Sequence, residues 1–123
     1  VEEFLRYDGS VQVTARVALE DIELGGKTIR KNQQSLLLLG AANHDPAHFP
    51  DPDRLDITRQ DNTQLTFSHG IHHCLGAPLA RVEAQLAINT LLRRMPNMRL
   101  ATQELEWRDM LTLRGLKALP VTC

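Results

Sequence analysis

The stretch FSHGIHHCLGAPLARVEA, from Phe67 to Ala84, holds four side chains able to bind a metal: His69, His72, His73 and Cys74. Imidazole and thiolate groups are common protein ligands of zinc and iron, so this stretch is the first candidate for chemistry. The sequence after Gly76 predicts a helix, because apolar residues recur at helical spacing and Pro78 stands where a first turn tolerates it. Cys74 should therefore lie at or just before a helix N-terminus, where unpaired N–H groups and the helix dipole favour the thiolate.

Two simpler interpretations of this cluster compete with a functional thiolate. A zinc site would draw on all four side chains, yet the two separated ligand pairs of a zinc finger are absent, and adjacent His72 and His73 point in different directions in most backbones. Alternatively, Cys74 is a small buried hydrophobe, as free cysteines often are. Gly70 and Gly76 argue against the second interpretation, since glycines let a backbone turn sharply and come close to a flat or bulky partner.

Length and composition describe one mixed domain or part of one. The chain has 123 residues, and its 14 basic and 15 acidic residues leave it near neutrality, so no global field attracts nucleic acid or an anionic membrane. No apolar run approaches the roughly 20 residues of a membrane span, no signal peptide opens the sequence, and two cysteines make no disulfide framework. A cytoplasmic setting is expected. The chain begins in uncapped helical sequence, so we expect a piece of a longer protein.

The elements expected around the cysteine loop are short and varied. Residues 1–7 predict a helix, Gly25 and Gly26 predict a two-residue hairpin turn, and QQSLLLLG predicts a strand buried on both faces or nearly so. VQVTARVAL predicts a strand with Arg16 on the face opposite to an apolar set, which is Val11, Val13, Ala15 and Val17. The proline-rich ANHDPAHFPDPDRLD predicts an irregular segment, and short strands should follow the helix.

The cysteine loop resembles the haem-binding loop of the cytochromes P450, the haem-thiolate monooxygenases. The pattern F-x-x-G-x-H-x-C-x-G is met by Phe67, Gly70, His72, Cys74 and Gly76. Other segments agree with the same family. EFLR supplies the Glu3 and Arg6 of its Glu-x-x-Arg pair, and Arg54 in FPDPDRLD matches the third member of its charge triad.

The resemblance implies the cytochrome P450 fold, which is mainly α with small β-sheets. This chain would be an α+β piece of it, with residues 1–123 forming the C-terminal haem-binding part of a single, incomplete domain. The long central helix that handles dioxygen protons, the N-terminal propionate contacts and most of the substrate pocket would lie outside it. We therefore expect the chain alone to bind haem weakly and to turn nothing over.

The resemblance also assigns roles to single residues. Cys74 would be the catalytic axial ligand of the iron of haem b, Phe67 would pack beside the ligand loop, and Arg16 and His72 would bind propionates. The substrate pocket would be approached by Val11, Gln12, Val13, Thr112 and Leu113. His69 and His73 receive no role, and His44 is interpreted as structural.

The implied reaction is oxidation of a small organic substrate with dioxygen and two electrons. The segments resemble the soluble bacterial branch, whose electrons come from a ferredoxin and its reductase, and Arg81, Arg93 and Arg94 are candidate docking charges. Two alternatives remain: an inactive haem- or partner-binding remnant, and a small zinc-binding domain.

Overall fold

Short helices and strands alternate along the chain, and the computed structural model describes all 123 residues. In chain order the elements are α1 (Glu2–Asp8), β1 (Val13–Val17), β2 (Ile22–Leu24), β3 (Lys27–Ile29), β4 (Gln34–Leu38), α2 (Leu39–Ala42), a 3-10 turn (Gly70–His72), α3 (Ala77–Arg94), β5 (Arg99–Leu100) and β6 (Val121–Thr122). The predicted helices, hairpin and irregular proline-rich segment are all present. The expected α+β character is therefore confirmed.

The strands form three separate antiparallel pairs, β1 with β4, β2 with β3, and β5 with β6. In the first pair Val13 lies opposite Leu38. In the second, Gly25 and Gly26 form the turn with φ values of +57° and +73°, a left-handed conformation that glycine adopts at little cost. The hairpin predicted from this dipeptide is confirmed.

The prediction of a strand buried on both faces is wrong for β4. Leu36, Leu37 and Leu38 are 58%, 39% and 55% exposed. The reason is that β4 pairs only with β1 in a two-stranded sheet, so its other edge is unpaired and its leucines stay partly exposed. The apolar stripe of α3 is exposed in the same way at Leu79 and Leu86.

The best-buried part of the molecule is polar. Buried Arg6 on α1 donates hydrogen bonds to the carbonyl oxygens of Asn43 (2.8 Å), Pro52 (2.9 Å) and Arg54 (3.2 Å). Buried Asn43 in turn donates from Nδ2 to Thr66 Oγ1 at 3.0 Å. A guanidinium with five donors can satisfy several carbonyls of a segment that has no regular structure. Arg6 therefore ties the irregular segment to α1.

Helix α3 follows the cysteine loop directly. Gly76 is its N-cap residue, a proline stands in its first turn, and Arg93 and Arg94 lie in its last turn, where cations oppose the negative end of the helix dipole. Cys74 thus lies two residues before the N-cap, as predicted. No helix of the structure is both long enough and apolar enough to cross a membrane.

Candidate functional site

A cavity of about 410 Å³ lies between β1, the residues before β1 and the cysteine loop. Five of the predicted site residues line it: Val11, Arg16, Phe67, His72 and Cys74. They come from parts of the chain about 50 residues apart in sequence, so the fold and not local sequence brings them together. This cavity is the candidate functional site.

The cysteine loop presents a free thiol to this cavity. Cys74 is exposed and makes no disulfide, so the interpretation as a buried hydrophobe is wrong. Its backbone N–H donates to the carbonyl oxygen of Phe67 at 2.9 Å, and its carbonyl oxygen accepts from the N–H of Ala77 at 3.1 Å. The thiol is therefore held between a closed loop and the start of α3.

The two glycines of the loop have different functions. Gly70 has φ +63°, so a side chain there would be strained although no atom would obstruct it. Gly76 has ordinary helical angles, φ −81° and ψ 0°, and needs no glycine for its backbone. A Cβ added at Gly76 would instead project to 3.8 Å from Cys74 Sγ. Gly70 is required by the turn, and Gly76 leaves the space beside the sulfur open.

Two basic side chains from different parts of the chain line the same cavity. Arg16 extends from β1, with Nη1 donating to Thr14 Oγ1 at 3.1 Å and to the Ala15 carbonyl oxygen at 2.8 Å, and His72 extends from the cysteine loop. Thr14 also lines the cavity and was missed in the sequence. It could have been found, because residues two apart on a strand share a face and Arg16 had been identified.

The predicted substrate-pocket residues divide into two groups. Only Val11 lines the cavity with Cys74. The Gln12 amide turns away and donates to the Gly9 carbonyl oxygen at 2.6 Å, while Val13 lines a separate groove beside Trp107. Gln12 and Val13 therefore do not line the cavity with Cys74: β1 begins only at Val13, so the alternation that places Thr14 and Arg16 together does not extend to Val11 and Gln12.

Thr112 and Leu113, the two C-terminal residues predicted for the substrate pocket, contact Val11 and Gln12 through their backbone. Leu113 pairs with Val11 in an isolated bridge, and the Thr112 carbonyl oxygen accepts from the Gln12 N–H at 2.9 Å. Neither side chain lines the cavity with Cys74. Their contribution in this structure is to support Val11.

The charge triad contains Glu3, Arg6 and a different third residue from the one predicted. Arg6 pairs with Glu3 in a two-pronged contact, with Nε to Oε2 and Nη2 to Oε1 both at 2.8 Å. The third side chain is Arg59, with Nε 3.3 Å from Glu3 Oε2 and a side chain only 10% exposed. Arg54 is exposed and contributes only its carbonyl oxygen to Arg6. The segment is irregular, so no rule of residue spacing predicts from sequence which of Arg54 and Arg59 reaches Glu3.

This network sets the ionisation of Glu3. Hydrogen bonds from Arg6, with further contributions from the Asp56 N–H and the charge of Arg59, lower the pKa of Glu3 from 4.5 to about 2. Asn62 Nδ2 donates to Glu3 Oε2 at 2.9 Å. The carboxylate is therefore charged and well supplied with donors, which is what a buried acid requires.

The remaining histidines lie outside this arrangement. His73 Nδ1 lies 3.3 Å from the Ser68 carbonyl oxygen, and His44 packs on Tyr7 with ring centroids 5.7 Å apart, with its Nδ1 3.0 Å from the Gly40 carbonyl oxygen. The structure contains no group of three or more His, Cys, Asp or Glu side chains arranged to hold a metal ion. The four candidate zinc ligands of the loop therefore do not converge.

The three candidate docking arginines also differ from one another. Arg81 is engaged in an ion pair with Glu2, with Nε 2.7 Å from Oε1, and its guanidinium carbon lies 4.9 Å from the centre of the Phe67 ring. Arg93 and Arg94 are exposed at the end of α3. Only the last two are free of such contacts.

Comparison with known proteins agrees with this geometry. The family model described as "Cytochrome P450" matches residues 1–105. The biotin biosynthesis cytochrome P450 of Bacillus subtilis (strain 168) is 57% identical over 122 residues, which is 99% of this chain and 31% of that relative. The mycinamicin IV hydroxylase/epoxidase of Micromonospora griseorubida is 53% identical over 108 residues, which is 86% of this chain and 27% of that relative.

A solved structure shows the same fold. The crystal structure of P450BioI in complex with hexadec-9Z-enoic acid ligated acyl carrier protein has a TM-score of 0.96 and 57% identity, and the match covers 98% of this chain and 31% of that chain. The chain belongs to the cytochrome P450 family and has its fold. It spans about a third of the length of the relatives it matches, so the expected incomplete domain is confirmed.

Proposed function

We propose that residues 1–123 are the C-terminal haem-binding part of a haem-thiolate monooxygenase with Cys74 as the iron ligand. The observation that supports this most directly is that one cavity collects the exposed thiol of Cys74 and two basic side chains, Arg16 and His72. Members of the cytochrome P450 family hold haem, and this donor set suits haem b.

The residues present fit that group on three counts. A soft thiolate is a suitable ligand for iron, and the space beside Cys74 Sγ is open because residue 76 has no Cβ. The Arg16 guanidinium and the His72 imidazole line the same cavity, and both can donate hydrogen bonds to carboxylates, which are strong acceptors. Apolar Val11 and Leu39 also line it.

Each residue then has a defined task. Cys74 would bind the iron, Phe67 would pack beside the ligand loop and fix it through its carbonyl oxygen, and Arg16 and His72 would orient the carboxylates of the cofactor. Haem bound through a thiolate would supply dioxygen activation, since a thiolate donates electron density that favours O–O cleavage. Val11, which lines the same cavity, would contact the substrate and exclude water. Glu3, Arg6 and Arg59 hold the irregular segment that supports the loop.

The substrate class and partners follow the relatives. One relative is named a hydroxylase/epoxidase of mycinamicin IV, and one solved structure holds hexadec-9Z-enoic acid on an acyl carrier protein. We assign this protein a small organic substrate, dioxygen and two electrons from a ferredoxin-type donor with its reductase, acting in the cytoplasm. Arg93 and Arg94 are the docking charges we retain for that donor.

The first test is a carbon monoxide difference spectrum of the reduced full-length parent protein. Wild type should give the thiolate-type Soret band, and Cys74→Ala should abolish it. Cys123→Ala is the matched control, because Cys123 is the other exposed free thiol and lies in no cavity of the site; it should keep the band. A folded, haem-supplied wild type without the band would contradict the proposal, and metal analysis would then test for zinc.

The chain alone should behave as an inactive remnant. The leucines of β4 and the apolar stripe of α3 are exposed, so a polypeptide of these residues presents contiguous apolar surface to water. We expect weak haem binding and no turnover from it. Substrate oxidation by a well-folded polypeptide of residues 1–123 would contradict this.

A further inference from the structure

We propose that Arg81, held by Glu2, is a positioning residue that fixes the Phe67 ring and through it the Cys74 loop. This inference rests on the proposed haem-thiolate function, and it replaces the expectation that Arg81 is a free docking charge. Four residues support it: Glu2 at the start of α1, Phe67 and Cys74 in the cysteine loop, and Arg81 in the second turn of α3.

The ion pair between Arg81 and Glu2 has defined geometry. Nε lies 2.7 Å from Oε1 and Nη2 lies 3.1 Å from Oε2, so the guanidinium and the carboxylate meet through two parallel contacts. Gln64 donates to the same carboxylate at 3.2 Å. Both side chains are only about one-third to two-fifths exposed. A two-pronged contact of this kind fixes the plane of the guanidinium as well as its position.

The fixed guanidinium lies against the ligand loop. Its carbon atom is 4.9 Å from the centre of the Phe67 ring, within the range of a cation–π contact. The same Phe67 accepts the hydrogen bond of the Cys74 N–H at 2.9 Å, and both residues line one cavity. Contact therefore continues from Glu2 through Arg81 and Phe67 to the backbone of the thiol residue.

The consequence concerns how firmly the sulfur is held. Ser68 has a left-handed backbone with φ +61°, a conformation that costs a non-glycine residue free energy, so the loop depends on its contacts to stay closed. The ring of Phe67 is its anchored end. If the ring loses its cation, the loop that carries Cys74 is held less firmly. The Soret band of the reduced protein under carbon monoxide reports how firmly the thiol residue is held.

The experiment uses the full-length holoprotein reduced under carbon monoxide. Arg81→Gln and Glu2→Gln should each convert the thiolate-type Soret band to the thiol-type band about threefold faster than wild type, since each removes one partly exposed charge-assisted contact. The double variant should be no faster than either single variant, because both changes break the same contact. Arg81→Lys keeps the positive charge but cannot make the two-pronged contact, so its rate of band conversion should fall between those of wild type and Arg81→Gln.

The control is the pair of Arg114 and Asp8, a more exposed ion pair that also involves α1 and places its guanidinium on an aromatic ring, but with a single contact. Arg114 Nε lies 2.6 Å from Asp8 Oδ1, and its guanidinium carbon lies 3.7 Å from the centre of the Trp107 ring. Arg114→Gln should leave the rate of band conversion at the wild-type value. This separates the effect of Arg81 from the general loss of an ion pair at α1.

Two results would overturn the inference. One is an Arg81→Gln protein with unchanged band conversion but slower reduction by a ferredoxin, which would return Arg81 to partner docking. The other is equal acceleration by Arg114→Gln. A wild type without a thiolate-type band would instead refute the proposed function, so the two failures are distinguishable.

Discussion

The backbone N–H of Cys74 lies 2.9 Å from the carbonyl oxygen of Phe67 and closes the loop that presents the thiol. The hydrogen bond spans seven residues, and the chain can fold back over that distance because Gly70 takes a left-handed conformation. Closure of the loop and access to the sulfur thus depend on different glycines. Gly70 governs the first, and Gly76 governs the second.

Alanine substitutions should separate these two functions in the full-length protein. Gly70→Ala places a Cβ on a residue with φ +63°, and it should lower the free energy of unfolding by about 1–2 kcal/mol. Gly76→Ala should fold normally, because its backbone is helical, yet load less haem, since its Cβ enters the space 3.8 Å from Cys74 Sγ. Urea unfolding and haem content measure the two effects. Equal haem content in wild type and Gly76→Ala would refute the second.

The corrected charge triad predicts unequal effects of two neighbouring arginines. Arg59→Ala removes an ion pair to buried Glu3 and a hydrogen bond to the Pro50 carbonyl oxygen at 3.0 Å. It should cost about 1.5–3 kcal/mol of unfolding free energy, the range for hydrogen bonds to charged groups. Arg54→Ala keeps the carbonyl oxygen that Arg6 uses, so its effect should stay within about 0.5 kcal/mol. The reverse order, measured by urea unfolding, would restore Arg54 to the triad.

Acid should weaken the protein through Glu3. The pKa of Glu3 falls from 4.5 to about 2 in the folded state, so its contribution to stability is complete above pH 4.5 and is lost as the pH falls towards 2. The loss should approach about 3 kcal/mol, since each pKa unit corresponds to 1.36 kcal/mol. Urea unfolding at a series of pH values measures it.

Two variants test the assignment of that acid sensitivity. Glu3→Gln should flatten the dependence on pH between 4.5 and 2 while destabilising the protein by about 3–5 kcal/mol near neutrality, because it leaves Arg6 buried and unpaired. Asp21→Asn alters an exposed ion pair with Arg30 and should change the slope much less. A Glu3→Gln protein that keeps the wild-type slope would show that another group is responsible.

Arg16 should affect haem binding more than folding. Its guanidinium donates only to Thr14 and to the Ala15 carbonyl oxygen, so Arg16→Gln removes little that the apoprotein needs. It should release haem to an apomyoglobin acceptor about tenfold faster, the effect of losing about 1.4 kcal/mol from one charge-assisted contact. Arg30→Gln, on the exposed hairpin, is the control and should release haem at the wild-type rate.

The sequence predicted those parts of the structure whose physical cause is local. The Gly25 and Gly26 turn, the start of α3 after Gly76 and the position of Cys74 all follow from backbone preferences of a few residues. The resemblance added eleven cofactor and pocket residues, and five of them, Val11, Arg16, Phe67, His72 and Cys74, line one cavity. Thr14 was missed, although the alternation along β1 would have identified it.

The failures have non-local causes. Arg59 and Arg54 lie in an irregular segment, where only the folded path of the chain decides which guanidinium reaches Glu3. The leucines of β4 form an apolar run that predicts a central strand, but burial depends on neighbouring layers and the strand has one partner. Gln12 was expected in the pocket, and a single hydrogen bond to the Gly9 carbonyl oxygen turns it away.

The hairpin of β2 and β3 has a practical consequence. It pairs with no other strand, and its turn glycines have no neighbouring atom within 4 Å of an added Cβ. Exposed loop tips of this kind tolerate insertion best. An epitope or fluorophore placed between Gly25 and Gly26 would label the protein at an exposed turn and leave both free thiols, Cys74 and Cys123, unmodified.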